Sequence, residues 1–225
     1  MALYFIIGAG RFGRLAWQRL REREPQARFT VVDRDIGKLA LIPAKAATRT
    51  VVSEAADFLA AALAREPQPH WIIPAVPIHL AFAWLLRQEP ANQCWRPQPV
   101  PAALGGDLPF RLTGSAGEVY LSLATARCPD DCPEPASRCS LTGAPRVFNL
   151  YDYLADQVIP GYLNLIVRSH QLAPGVGGFR PADLRQLHAA VLGAGGNVII
   201  CTACRCHGVC HGLEKLTGRE AGVGF

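Results

Sequence analysis

Eight cysteines stand in this 225-residue chain, and seven of them fall into two groups: Cys128, Cys132 and Cys139 in CPDDCPEPASRC, and Cys201, Cys204, Cys206 and Cys210 in CTACRCHGVC. Thiolates this close in sequence can wrap one centre, because short loops aim several sulfurs inward. The prolines at 129, 133 and 135 limit the entropy lost when such a loop orders. Tetrahedral zinc sites favour C-x2-4-C knuckles, a spacing that Cys201 and Cys204 meet but the first group as a whole does not. Cysteine–proline neighbours among clustered thiols point instead to iron–sulfur ligation, although neither run has a standard spacing. A [4Fe-4S] cluster is the expected centre, with zinc as the alternative.

The ligands follow in part from geometry. If NVIICTACRC is extended, Cys204 and Cys206 project to one face and Cys201 to the other, where it behaves as a small buried hydrophobe. Cys128, Cys132 and Cys139 are then expected ligands, joined by Cys204 or Cys206. Arg205, His207 and His211 would offset the charge of a thiolate centre, or a histidine would itself ligate zinc. Cys94, beside Trp95, is expected to be structural.

A second chemical signal is GAGRFG, which sets Gly8, Gly10 and Gly13 in the G-x-G-x-x-G pattern with Arg11 and Phe12 between them. The first glycine permits a tight strand-to-helix turn, the second lets backbone approach a pyrophosphate, and the third lets helix and strand pack closely. Asp33 stands where such folds bond the ribose hydroxyls, and its charge favours NAD over NADP; the adjacent Arg34 weakens that preference. The nucleotide-contacting set is therefore Gly8, Gly10, Arg11, Phe12, Gly13, Asp33 and Arg34.

The elements that position these groups alternate. LYFIIG, FTVVD, TRTVVS and WIIPAV read as strands, and RFGRLAWQRLRERE and ADFLAAALARE as helices, which predicts a Rossmann-like parallel sheet over residues 1–90. His79 is expected to open the helix HLAFAWLL rather than to touch substrate. Residues 91–145 read as a linker, a hairpin turning at Ser115–Gly117 and the first cysteine loop. Residues 146–225 read as a small α/β unit carrying the second cysteine group and the metal site, with SHQLAPGVGGF as a plain connector.

Through IIGAGRFG and VVDRD followed by Lys38, the first 90 residues resemble the TrkA N-terminal class of NAD-binding domains, which regulate potassium transport. That resemblance implies ligand sensing as readily as catalysis. It covers under half of the chain.

Half of the residues are hydrophobic and 18% are charged, which excludes wholesale disorder. The net charge of +5 comes from scattered arginines, with no basic run to grip nucleic acid. WIIPAVPIHLAFAWLL is too short and too proline-broken for a membrane span, and MALYFIIGAGRFG lacks the form of a signal peptide, so a cytoplasmic protein is expected. In that reducing compartment the cysteines are poor candidates for a disulfide framework. The expected function is an NAD(H)-binding iron–sulfur protein with an oxidoreductase or electron-transfer role, served by a redox protein partner and compatible with a homo-oligomer. The alternative is a nucleotide-sensing regulator with a structural zinc or sensory metal site.

Overall fold

Every side chain of Leu3–Ile7 is buried, and a strand of that kind needs cover on both faces. In the computed structural model, which describes residues 1–45 and 47–217, this segment is β1 of a four-stranded sheet. The end of the expected C-terminal unit, 218–225, lies outside the described residues. The other strands are β2 (Arg28–Asp33), β3 (Thr48–Val52) and β4 (Trp71–Pro74), in the order β3-β2-β1-β4. All three pairings are parallel, as the alternating sequence predicts.

The helices α1 (Arg11–Arg23), α2 (Ile36–Leu39), α3 (Ala55–Leu63) and α4 (Leu80–Leu86) connect these strands and follow β4. Along α1, Gly13, Ala16, Trp17 and Leu20 are buried at helical spacing, and the last three share a core with Tyr4, Ile6, Phe29 and Val31. Phe29 is almost fully buried, and a side chain so placed contributes about 3–5 kcal/mol relative to alanine. The opposite face turns toward α3, where the Phe5 and Phe58 rings meet edge to face at 5.3 Å. His79 is the residue before α4, buried and stacked on Phe82.

In chain order the later elements are β5 (Gln93–Gln98), β6 (Phe110–Thr113), β7 (Val119–Ser122), α5 (Leu150–Asp156), β8 (Tyr162–Arg168), β9 (His170–Ala173), β10 (Val176–Gly178), α6 (Pro181–Gly193), β11 (Asn197–Ala203) and β12 (His207–Thr217). The chain divides into two compact units. The first holds Met1–Arg87, Pro129–Pro135 and Ser169–Asp183; the second holds Gln88–Cys128, Ala136–Arg168 and the described residues from Leu184 onward.

The stretch expected to be a plain connector is a hairpin of the first unit. β9 and β10 pair antiparallel about Gly175, whose φ of +64° glycine adopts without strain. Phe179 then bridges Ile72 of β4.

The second unit is a mixed six-stranded sheet, β6-β7-β12-β11-β8, with β5 also on β12. The β6–β7 hairpin turns where the sequence predicts, with Gly117 at φ +84°. The strand expected to run through Cys206 stops earlier, at Ala203. Cys204 donates its N–H to the His207 carbonyl at 2.9 Å, closing a tight turn from which β12 departs. Side-chain alternation therefore ends before Cys204. Cys201 is buried in the core, as its expected face requires, but it is not a thiol. It stands opposite Cys210 across the antiparallel ladder, Cα atoms 4.1 Å apart, and the two form a disulfide that composition argued against.

Candidate functional site

The glycine loop joins β1 to α1. Gly8 has φ +110°, and a Cβ there would collide with the Ala75 carbonyl oxygen just past β4. A Cβ on Gly13 would collide with the Gly8 carbonyl oxygen, so this glycine lets α1 close onto the strand. Gly10 differs from both. A Cβ at Gly10 meets nothing within 4 Å, so this backbone faces open space at the helix start.

Gly10 is the N-cap of α1 and supplies no side-chain cap, and the first turn has no acidic residue. The first N–H groups of α1 therefore carry the positive end of the helix dipole, with Arg11 and Arg14 beside it. Asp33, at the end of β2, accepts from the Ala9 N–H at 2.8 Å and the Asp35 N–H at 3.0 Å. Burial would raise its carboxyl, but the N–H of Ala9, then that of Asp35, the charge of Lys38 and the N–H of Arg34 together hold it below the usual carboxylate range. A carboxylate has about four acceptor sites, and with the N–H groups of Ala9, Asp35 and Arg34 on it about one remains for a hydroxyl donor. Arg34 pairs with Glu54 at 3.7 Å, which partly neutralises the cation that weakened the NAD preference. Phe12 is half exposed.

The segment 129–135 also belongs to this unit. Asp130 forms an ion pair with Arg11, and the Asp130 carbonyl accepts from Arg19 Nη1 at 2.8 Å. The Cys132 carbonyl accepts from the Gly175 N–H and from Gln171 Nε2, each at 2.8 Å. Cys132 is thus held by unit 1 through its own backbone.

The other four candidate ligands, Cys128, Cys139, Cys204 and Cys206, lie in the second unit. Cys204 Sγ accepts the N–H groups of Cys206 and His207, each at 3.4 Å. Cys139 Sγ is seated in the same way two and three residues before its donors. The Thr142 hydroxyl, the Thr142 N–H and the Leu141 N–H pull its thiol down, burial opposes them, and the Arg146 charge adds to the lowering. His207 bridges two sulfurs: Nε2 is 3.6 Å from Cys128 Sγ and Nδ1 is 3.9 Å from Cys204 Sγ. Arg146 Nη1 donates to Cys206 Sγ, and also at 3.3 Å to the Arg205 carbonyl. That carbonyl accepts the Leu150 N–H at the start of α5, which stitches the turn to the helix. Cys94 lies on β5, away in sequence from both groups.

Among the described residues, no group of three His, Cys, Asp or Glu side chains is already drawn together as a metal site. What the second unit supplies is donor chemistry: soft sulfurs with N–H groups aimed at two of them, an imidazole and a guanidinium. Sequence reasoning missed Arg146, Thr142 and Asp130. Only C-x-x-T-G at 139–143 carried a local signal, as a turn that directs backbone donors at its first residue. His211 is a half-buried β12 residue whose pKa burial lowers, against a smaller raising effect of the Glu118 charge.

No described helix is long and apolar enough to cross a membrane. A family model described as "Uncharacterized protein, C-terminal domain" (AF_1314_C) matches residues 81–216. The chain is similar to an uncharacterized protein of Archaeoglobus fulgidus, 28% identical over 221 residues, covering 93% of this chain and 98% of the relative. No solved structure matches the chain.

Proposed function

We propose, for a chain that belongs to the AF_1314_C C-terminal-domain family, an NAD(H)-binding protein with a redox role, in which the first unit holds the dinucleotide and the second carries a thiol-based metal centre. The observation that carries this reading is the division of labour among the three glycines: two are filled by neighbouring backbone, and the third, Gly10, opens onto space at an uncapped helix start. That is the place where a pyrophosphate needs backbone N–H groups and no Cβ. Asp33 orders the loop through Ala9 and keeps an acceptor site for the ribose. The likeness of IIGAGRFG and VVDRD to TrkA N-terminal domains supports the same nucleotide.

In the second unit, Cys128, Cys139, Cys204 and Cys206 would hold the metal. A [4Fe-4S] cluster bound there would supply one-electron chemistry. The Thr142 and Leu141 donors and the Arg146 charge favour the thiolate form of Cys139, and His207 aligns Cys128 with Cys204. The second reading, a nucleotide-sensing regulator with zinc, is favoured by the C-x2-H spacing of Cys204 and His207 and the 3.9 Å separation of their donor atoms.

Titration calorimetry of the metal-loaded full chain tests the nucleotide. NADH is expected to bind with a Kd on the order of 1 μM, and Gly10→Val to abolish binding while leaving the melting temperature near that of the wild type. No heat from NADH on the wild type overturns the reading. Anaerobic purification tests the metal: brown protein with about four iron and four sulfide per chain supports the cluster, and colourless protein with stoichiometric zinc replaces it with the sensor.

A further inference from the structure

A parallel sheet covered by helices on both faces is expected to be apolar on both. On the α3 side of the first unit's sheet that rule fails. Leu3 and Phe5 are flanked in register by Arg28 and Thr30 of β2, and Thr30 by Arg49 of β3. Beside the C-terminal half of α3, these residues line a cavity of about 400 Å³, walled on the helix side by Phe58 and Arg65. The volume lies within the usual range of small-molecule sites, about 300–1,000 Å³.

Two features of the lining are unbalanced. Arg28, Arg49 and Arg65 form no ion pair among the described residues. The one carboxylate on the wall, Glu66, accepts the Gln68 N–H at 2.9 Å instead. Thr30 is only 9% exposed, and its hydroxyl makes no hydrogen bond among the described residues. The recess thus offers a hydroxyl with no protein partner and three exposed guanidinium groups of one sign, with no ion pair to balance them.

One kind of ligand satisfies both. An anionic head would take the guanidinium donors, for which phosphate and carboxylate have matched geometry, and would accept from Thr30. A flat apolar body would lie against Phe5 and Phe58, which already meet edge to face. The recess opens at the starts of β1, β2 and β3, whereas the glycine loop follows the end of β1, so the two sites lie at opposite ends of the strands.

We propose that this recess is a second ligand site, selective for a small aryl phosphate or aryl carboxylate. The proposal does not depend on the identity of the ligand at the glycine loop. The test is a fluorescence titration of the full chain with 1-naphthyl phosphate and, separately, 1-naphthoate, each with and without saturating NADH. One saturable site per chain, indifferent to NADH, is expected. Arg49→Glu should weaken it at least about tenfold, and Thr30→Val, which keeps shape and removes the hydroxyl, about threefold to tenfold. A stronger response to either probe supports the site and names its anion. Binding that NADH displaces, that neither substitution weakens, or that never saturates overturns the proposal. If circular dichroism shows Arg49→Glu unfolded, Arg28→Ala takes its place beside Thr30→Val.

Discussion

The glycine loop of the first unit and the cysteine turn of the second hold their functional groups by different means. At the loop, shape comes from backbone against backbone: Gly8 against Ala75 and Gly13 against Gly8 leave no room for a Cβ. Nearly every contributor lies within the first 33 residues. At the turn, the sulfurs are placed by side chains and N–H groups drawn from three separate segments: Cys128, the run from Cys139 to Arg146, and Cys204–His207. Steric exclusion makes a site rigid and locally encoded, whereas a site built from directed donors depends on distant chain meeting correctly.

That contrast can be broken most forcefully at Gly13. Gly13→Ala drives a Cβ into the Gly8 carbonyl and should cost about 4–5 kcal/mol, at the extreme of single substitutions, or abolish folding. Gly10→Ala, in open space at an N-cap, should change stability by no more than about 1 kcal/mol. Urea unfolding followed by tryptophan fluorescence separates them, and equal losses would mean that the loop is not shaped by exclusion.

The thiol centre is sharpened by metal analysis of serine variants. Cys139→Ser and Cys204→Ser should each lose most of the bound metal, because each removes a sulfur already seated on two backbone donors. Cys94→Ser should keep it, and retention of metal in both Cys139→Ser and Cys204→Ser would take the centre away from these sulfurs.

The smallest effect is expected at Asp33. Its carboxyl is held below the ordinary range, since backbone donors and Lys38 outweigh the burial that would raise it. A depressed folded-state pKa contributes stability above the unfolded carboxyl pKa and loses it as pH falls through the lower, folded value. Wild type should therefore exceed Asp33→Asn by about 1 kcal/mol at neutral pH, with the gap closing on acidification. A gap that stays constant until acid unfolding would assign the difference to packing.

Much of the first unit was legible because its signals are local. Continuous apolar runs ended at turns, and G-x-G-x-x-G stood between a strand and an amphipathic helix. The rest needed long-range pairing. Nothing near Asp130 announces that it meets Arg11, 119 residues away. Side-chain alternation through Cys206 failed because a turn at Cys204 reverses the chain, and that turn is set by His207 and the start of α5 rather than by strand propensity. The hairpin at 170–178 was hidden because its glycines suit a loop as well as a turn between short strands. The disulfide of Cys201 and Cys210 depends on the register of β11 and β12, which spacing alone does not fix.

The order in which the chain visits its two units also governs how it can be made. Unit 1 takes its first 87 residues early, then waits for 129–135 and 169–183. A ribosome therefore releases the glycine loop long before it releases the strand-edge partner Phe179 or the segment that pairs with Arg11. During that interval the edge of β4 at Ile72 is uncovered, and an uncovered edge is where nascent chains associate. A gene cut at residue 90 to isolate the nucleotide unit would freeze the protein in that interval. The shortest piece that can complete unit 1 ends at residue 183 and carries most of the second unit's strands with no β11 or β12 to receive them.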